Sequence, residues 1–218
     1  MSAAVTTTLL LARHGQTVWH ADNRYAGGDS DVDLTPTGVE QAHRLAAVRD
    51  RGIDAIVVSP VRRARETATP AAAALGLDAQ VVDDLREVSF GLVEGRTLAE
   101  VAAQEPDGTA IVERFRTDPV AHPFPGAEPP THAAHRCVRA LRAAAAATPG
   151  GTVLVVAHNT LLRLGLCALI GLPVARYRDV FPRLDNAALT EIAVTPDPGR
   201  PAALLSLNVP CRPPADRS

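Results

Sequence analysis

The chain has 218 residues, of which 46% are hydrophobic and 21% charged, and its formal net charge is −2. This composition is typical of a globular protein, and so small a net charge gives no general attraction to nucleic acid or anionic lipid. All 22 basic residues are arginine, which excludes pyridoxal-phosphate enzymes and P-loop kinases, because both need a catalytic lysine.

The first half of the chain predicts three strands and two helices. Residues 6–12 are β-branched and apolar and stop at a polar loop, as a buried strand does. Thr35 and Pro36 fit the N-cap and first position of a helix that ends before Gly52. The remaining elements predicted here are a strand over 53–59, a helix over 60–75 and a short strand over 79–82.

The second half continues the alternation of helices and strands. It predicts helices over 97–104, 110–115, 131–147 and 161–170, and strands over 152–157, 188–194 and 204–209. The proline-rich stretch 117–130 is interpreted as a loop or lid. We therefore predict an α/β fold, a three-layer sandwich whose mainly parallel central sheet is flanked by helices on both faces.

We expect a single domain over 1–211, a flexible tail over 212–218 and a cytoplasmic location. The three cysteines are far apart and indicate no disulfide framework. The apolar part of the N-terminus is too short for a signal peptide. The apolar run 161–172 is too short for a membrane span and contains Arg163, so no membrane is predicted as a partner.

Polar residues follow the predicted strands at their carboxyl ends. Arg13, His14, Ser59 and His158 all occupy such positions, where ligands bind in parallel α/β sheets. Arginines at the start of the helix after Ser59 oppose the helix dipole, which makes sense if an anion binds among them. Taken alone, Arg13-His14 is more typical of a solvated loop, and a histidine placed like His158 is more often a structural residue. The arginines after Ser59 fit a solvated face and an anion site equally well. Glu87 also lies in an acidic loop, and most loops of that kind are merely solvated.

The order of these motifs is far more specific than any one of them. Arg-His-Gly after the first strand is followed by Ser-Pro-x-x-Arg-Ala-x-x-Thr-Ala, by Arg-Glu-x-x-Phe-Gly-x-x-Glu-Gly and then by Ala-His. The chain resembles the histidine phosphatase superfamily, also called phosphoglycerate-mutase-like, from about residue 9 to about 194. The Phe-Gly-Leu-Val-Glu-Gly run resembles the phosphatase branch more closely.

The resemblance implies roles for five residues. His14 would be the nucleophile that becomes phosphohistidine, and Arg13, Arg63 and His158 would hold the phosphate oxygens. Glu87 would protonate the leaving oxygen and later activate water. Catalysis then requires a neutral His14 whose second ring nitrogen is held by a backbone carbonyl, and a Glu87 whose pKa is raised.

The resemblance also implies a wider binding set and a reaction class. Thr17, His20, Tyr25 and Asn159 would contact phosphate or substrate. We expect a metal-independent phosphomonoester hydrolase that acts on a small phosphorylated metabolite, with no metal site, no cofactor and no nucleic-acid partner. A homodimer is a family-level expectation. The alternatives are a phosphoglycerate mutase and a catalytically inactive binding module on the same fold.

Two departures from the family pattern and two further interpretations complete the prediction. His20 stands where the family usually has asparagine, and it could replace that donor, shift the pH optimum or turn toward the substrate. Asn159-Thr160 replaces the usual Gly-Gly after the second histidine. We expect the segment 117–130, with Tyr25 and His20, to shape specificity. We interpret the arginines of the helix over 131–147 as a solvated face.

Overall fold

A six-stranded sheet covered by helices on both faces organises the chain. The computed structural model describes residues 5–211, so the predicted tail over 212–218 lies outside the described residues. The strands are β1 (Thr7–Arg13), β2 (Ala55–Val58), β3 (Ala79–Val81), β4 (Thr152–Ala157), β5 (Ala188–Val194) and β6 (Ala203–Pro210). The helices are α1 (Val18–Ala21), α2 (Pro36–Leu45), α3 (Arg62–Leu75), α4 (Leu98–Gln104), α5 (Gly108–Thr117), α6 (Pro130–Ala147), α7 (Asn159–Leu169) and α8 (Tyr177–Val180).

The strand order is β3-β2-β4-β1-β5-β6, and only β5 runs against the others. This confirms the predicted α/β fold with a mainly parallel sheet. Strand β1 lies inside the sheet and pairs in parallel with β4, so Arg13 lies opposite Ala157 at the ends of the two strands. The residues that follow β1 and β4 therefore emerge side by side at one edge of the sheet.

Alternation along β1 divides the core between the two faces of the sheet. Leu9 and Leu11 belong to the cluster that includes α6 and α7, and Leu10 and Ala12 belong to the cluster with α2 and α3. Because both faces are covered, the inner strands are apolar at nearly every position. Burial of each leucine side chain contributes about 1.5–3 kcal/mol.

Helix α2 begins as the sequence predicts. The Thr35 side chain accepts a hydrogen bond of 3.0 Å from the Gly38 amide, and Pro36 occupies the first helical position. A Cβ on Gly38 would lie 2.1 Å from the Gln16 carbonyl oxygen, so glycine is required for the close approach of α2 to the loop after β1. The loop that follows His14 therefore packs directly against α2.

The proline-rich stretch is a loop, with no helix or strand between residues 118 and 129. Its Phe124 is buried, and the rings of Phe124 and Phe115 are 4.1 Å apart between centroids. At one edge of the sheet, β6 leaves its aliphatic side chains exposed, including Leu205 and Val209. The expected homodimer stays a prediction. Across residues 5–211, no helix combines the length and the apolarity needed to cross a membrane.

Candidate active site

The residues that follow β1, β2 and β4 meet at the carboxyl edge of the sheet. The rings of His14 and His158 are 5.2 Å apart between centroids, and both histidines are buried. Ser59 follows β2, and its Oγ lies 2.7 Å from His158 Nε2. The fold thus brings together three polar segments that lie far apart along the chain, as the strand topology predicts.

The His14 imidazole is held in one orientation. Its Nδ1 lies 2.7 Å from the Gly15 carbonyl oxygen, so Nδ1–H donates there and the lone pair of Nε2 faces Arg63. Arg63 donates from Nε to His14 Nε2 over 3.2 Å. Burial, followed by the charges of His158, Arg63 and Arg13, lowers the pKa of His14 well below its usual value. His14 is therefore neutral at pH 7, and the predicted contact to a backbone carbonyl is confirmed.

The backbone around His14 is fixed from two sides. Asn186 donates from Nδ2 to the His14 carbonyl oxygen over 2.7 Å, and the Gly15 amide donates to Thr67 Oγ1 over 2.9 Å. Asn186 precedes β5, and Thr67 lies on α3. The nucleophile candidate is thus tied to elements on both sides of β1, which limits the directions in which its ring can move.

Arg63 reaches the site from the first turn of α3. Only 1% of Arg63 is exposed, and its guanidinium donates to the carbonyl oxygens of Ser30 at 2.9 Å and Gly27 at 3.1 Å. A third contact, from Nη2 to His158 Nδ1, measures 3.3 Å. Burial lowers the pKa of Arg63 but leaves the group a cation at neutral pH. The charge is held rigidly beside His14.

Arg13 has a donor that no protein group uses. Its Nη1 donates to the Leu184 carbonyl oxygen over 2.9 Å, but its Nε is buried and has no hydrogen-bond partner among the described residues. Burial lowers the pKa of Arg13 to about 10, so the side chain stays charged at neutral pH. A buried donor without a partner is rare in native proteins, and an anion oxygen in the cavity that Arg13 lines would satisfy it.

His20 lines the same cavity as Arg13. Its Nδ1 accepts from the Thr17 amide over 2.9 Å and lies 2.8 Å from Thr17 Oγ1. On the other side of the ring, Nε2 lies within hydrogen-bonding distance of Arg13 Nη2. Burial and the Arg13 charge lower the pKa of His20 to about 4. His20 is thus a neutral ring in contact with Arg13, and the three predicted outcomes of the exchange stay predictions.

His158 is fully buried beside Arg63. Burial, followed by the charges of Arg63 and Arg13, lowers the pKa of His158 well below its usual value, so the ring is neutral in the free protein. Its Nδ1 faces Arg63, and Nε2–H can donate to Ser59 Oγ. A protonated His158 would donate a further charged hydrogen bond to a bound phosphate. In this structure, that state would need the charge of a bound anion to raise the pKa.

Glu87 lies at the N-terminus of α7. Its Oε1 accepts from the amides of Val88 and Leu161, both at 2.9 Å, and its Oε2 accepts from the Thr160 amide at 3.2 Å. These bonds favour the carboxylate, yet burial outweighs them and raises the pKa of Glu87 above its usual value. The direction predicted from the sequence is confirmed.

The loop that carries Glu87 is held by a side chain that the sequence placed on a solvated face. Arg136 is only 8% exposed, and it donates to the carbonyl oxygens of Arg86 and Glu87. It also makes a two-pronged ion pair with Glu128, at 2.8 and 2.7 Å. The prediction was wrong for Arg136 because its partners come from residues 84–87 and 128, which local helix periodicity does not reveal.

A cavity of about 810 Å³ opens in front of these groups. Of the predicted site residues, the cavity lining includes Arg13, His14, Thr17, His20, Tyr25, Glu87 and Asn159, with Arg63 and His158 behind them. Asn159 contributes structure as well, because its Oδ1 accepts from the Leu184 amide over 3.1 Å. The ring of Tyr25 lies 5.1 Å from that of Phe90.

Other parts of the lining were missed by sequence reasoning. They come from α1 and the turn after it, α4, α5, α7 and α8, and include Asp22, Arg24, Leu98, Ala99, Arg116, Arg163, Tyr177, Arg178 and Pro182. No motif marks these residues, since each segment contributes only one to three of them. None of the residues 117–130 lines this cavity, so a role of that segment as a lid stays a prediction.

Comparison with known proteins agrees with this site. The model of the histidine phosphatase superfamily (branch 1) matches residues 9–206. The chain belongs to this superfamily. The family, together with phosphatases among the similar solved structures, supports a phosphatase enzyme.

Individual relatives carry several different names. The bifunctional protein Rv2228c of Mycobacterium tuberculosis is 41% identical over 168 residues, which cover 74% of this chain and 45% of the relative. The chain thus spans less than half the length of that relative. The probable phosphoglycerate mutase GpmB of Yersinia pestis is 33% identical over 187 residues, 84% of this chain and 82% of the relative. The mycobacterial glucosyl-3-phosphoglycerate phosphatase Rv2419c, solved in complex with VO3, is 29% identical, with a TM-score of 0.80 over 94% of this chain and all of that one.

Proposed function

We propose that this histidine phosphatase hydrolyses a small phosphorylated metabolite through a phosphohistidine at His14, without a metal ion. The observation that carries the proposal is the neutral His14 imidazole, whose Nε2 accepts from the buried Arg63 and which shares its cavity with Arg13 and the buried carboxyl of Glu87. A neutral ring nitrogen is the nucleophilic form, and fixed cations stabilise the charge that spreads over the phosphoryl oxygens in the transition state.

In the first step His14 Nε2 attacks phosphorus, and the bond from phosphorus to the ester oxygen breaks. The leaving oxygen takes the proton of Glu87, whose burial raises its pKa and so favours the protonated carboxyl. Arg13 and Arg63 bind the equatorial oxygens, and the unpartnered Nε of Arg13 becomes satisfied. The step yields a free alcohol, a phosphohistidine and an ionised Glu87.

In the second step water replaces the alcohol. The Glu87 carboxylate accepts a proton from water, the water oxygen attacks phosphorus, and the bond from phosphorus to Nε2 breaks. Inorganic phosphate leaves, His14 is neutral again and Glu87 is protonated again. The amides of Leu161 and Thr160 keep the carboxylate pointed at the same place in both steps.

Arginine and histidine supply the positive charge that a metal ion supplies in other phosphatases. Within residues 5–211 no group of three or more His, Cys, Asp or Glu side chains could hold a metal ion. The proposal predicts that phosphate release from a panel of sugar phosphates, nucleotides and phosphoglycerates is unchanged by excess EDTA. If EDTA abolishes release and Mg²⁺ restores it, metal independence is wrong.

The His14→Ala variant tests the nucleophile. We expect loss of at least about 10⁴-fold in turnover, because substitution of a covalent nucleophile removes the intermediate itself. Acid-quenched wild type should retain labelled phosphate in an acid-labile, base-stable form, and His14→Ala should retain none. The exposed His43 on α2 provides a matched control, and His43→Ala should behave as wild type. Full activity in His14→Ala would show that another group is the nucleophile.

A phosphoglycerate mutase remains the second candidate, favoured by the relatives named GpmB. A mutase returns the phosphoryl group of the phosphoenzyme to a second hydroxyl, whereas a hydrolase gives it to water. Measured side by side on phosphoglycerates with a bisphosphoglycerate primer, interconversion faster than phosphate release would select the mutase. A binding module without activity is disfavoured by the intact set of His14, Arg63 and Glu87, and it would form no phosphoenzyme.

A further inference from the structure

The cavity as a whole carries more positive charge than the binding of one phosphate group requires. Five arginines and two carboxylic acids line it, on a chain whose net charge is −2. One of the five, Arg13, serves the phosphate. Another, Arg24, is already compensated by a two-pronged ion pair with Glu100, at 2.9 Å for both contacts. The remaining cations are Arg116, Arg163 and Arg178.

None of these three arginines has a carboxylate within ion-pairing distance among residues 5–211. The contrast with Arg176 is direct, because Arg176 lies on the same short segment and pairs with Asp179 at 3.0 Å, outside the cavity. Positive charge has thus been left uncompensated on the cavity side of this segment. Unpaired cations along a cleft concentrate the field on an anionic ligand.

Arg178 is held in place without an acid. Its guanidinium lies 4.5 Å from the centre of the Phe115 ring and 5.6 Å from that of Tyr177. Its Nε donates to the Tyr177 hydroxyl over 3.1 Å, and it also lies close to the Tyr25 hydroxyl. Stacking of this kind orders an arginine side chain while its remaining N–H groups stay available for a planar oxyanion.

Arg116 completes the arrangement from the last turn of α5. It is exposed at the cavity, and its charge acts on Tyr25 together with that of Arg178. Arg163 lies deeper, where its Nε donates to the Phe181 carbonyl oxygen and its guanidinium stacks on Tyr177 at 4.8 Å. A substrate that fills the 810 Å³ cavity from His14 outward would place its distal end among these three cations.

We propose that Arg116 and Arg178 form a second anion subsite, and that the substrate is a phosphomonoester whose leaving group carries a second anionic group, a carboxylate or a second phosphate. The proposal rests on the proposed hydrolysis at His14 and adds the substrate class to it. Tyr25 and Leu98 line the same outer cavity. The uncharged part of the leaving group would lie between these two side chains.

Matched pairs of substrates test the charge of the leaving group. 3-Phosphoglycerate is compared with glycerol 3-phosphate, and 4-carboxyphenyl phosphate with 4-carbamoylphenyl phosphate, because each pair differs mainly in one negative charge. Fructose 1,6-bisphosphate and fructose 6-phosphate form the arm for a second phosphate. We expect kcat/KM to favour the more charged member of at least one pair by about tenfold, as one charge-assisted hydrogen bond would give.

Variants identify the subsite. Arg116→Gln and Arg178→Gln should each reduce the preference about tenfold, with less than about twofold change on the uncharged member. Arg178→Lys, which keeps the charge but not the stacked fork, should keep part of the preference. Arg114→Gln removes a charge from the same helix at a residue that does not line the cavity, and should change nothing. Equal kcat/KM within every pair, or a preference that survives both glutamine variants, would overturn the proposal.

Binding separates this test from the test of hydrolysis. His14→Ala should bind 4-carboxyphenyl phosphate more tightly than 4-carbamoylphenyl phosphate in calorimetry, and Arg116→Gln in the same background should remove the difference. That result would support the subsite even if wild type released no phosphate. Hydrolysis of both probes with equal binding would instead support the proposed function and overturn the subsite.

Discussion

The inner phosphate pocket and the outer cavity are built in different ways. In the inner pocket, the reactive side chains follow strand ends or lie on helix termini, and each is fixed by backbone groups, as the Gly15 carbonyl fixes His14 and the Leu161 amide fixes Glu87. In the outer cavity, Arg116 and Arg178 come from α5 and the short helix α8, and aromatic rings hold Arg178. Under the proposed function, the positions fixed by backbone groups would serve the chemistry, and the more exposed outer segments would select the substrate.

Among the substitutions that compare the two regions, loss of an inner cation should have the largest effect. Arg63→Gln removes a planar double donor from beside His14, and we expect kcat/KM to fall about 100- to 1,000-fold, as for loss of one preorganised donor in other enzymes. Arg65→Gln on the same helix is the control, because Arg65 is exposed and should tolerate the change. Circular dichroism checks that the variant is folded. If Arg63→Gln lost less activity than Arg116→Gln, the division into inner and outer regions would be wrong.

The next effect depends on the leaving group. Glu87→Gln should slow hydrolysis of alkyl phosphates about 100-fold or more, since general acid catalysis supplies about that factor. With 4-nitrophenyl phosphate, whose leaving group needs no proton, the first step should survive and the second should slow, giving a burst of one equivalent of nitrophenol. Rapid-quench kinetics measures both. An equal loss of activity on both substrates, with no burst, would contradict the role of Glu87 as the general acid.

The same variant tests the pH dependence of wild type. The first step needs neutral His14 and protonated Glu87, so activity on alkyl phosphates should fall below the lowered pKa of His14 and above the raised pKa of Glu87. Glu87→Gln should lose the fall on the alkaline side. Comparison of the two proteins on one substrate removes the ionisation of the substrate itself.

Substitution of Arg136, which contacts the loop of Glu87, should have a smaller effect on catalysis but a large effect on stability. Arg136→Gln breaks a buried ion pair with Glu128 and contacts to the loop of Glu87, and we expect the free energy of unfolding to fall by about 3–5 kcal/mol. Arg139→Gln, on the same helix, breaks an exposed pair with Asp84 and should change it by less than about 1 kcal/mol. Urea unfolding of both variants measures the difference. Similar values would show that Arg136 does not hold the loop.

The smallest effect is expected at His20. His20→Asn introduces the residue usual in the family, and inhibition by inorganic phosphate should change only about threefold, because one neutral hydrogen bond is exchanged for another. The pKa of His20 is about 4, so the ring stays neutral from pH 5 to 9. The pH profiles of kcat/KM for His20→Asn and wild type should therefore overlie each other in this range. A displaced profile would show that His20 titrates during turnover.

Much of the fold could be predicted because its pattern is local. Strand β4, β5 and the Thr35 cap of α2 occur where the apolar runs and the capping residues place them. The inner site could also be predicted, since its residues follow strand ends in a recognisable order. The local pattern could not show that Arg136 is buried and paired, because its partners are 8 and about 50 residues away in the chain.

The amino-acid sequence alone determined the α/β alternation, the family and the absence of lysine chemistry, since these depend on residue identity and order. Tertiary structure decided which arginines are compensated. Arg24 and Arg116 look alike in sequence, yet within residues 5–211 only Arg24 has a carboxylate partner, contributed by α4. Long-range packing places charges next to each other or leaves them apart, and that placement turns an arginine-rich chain into one with a basic cavity for anions.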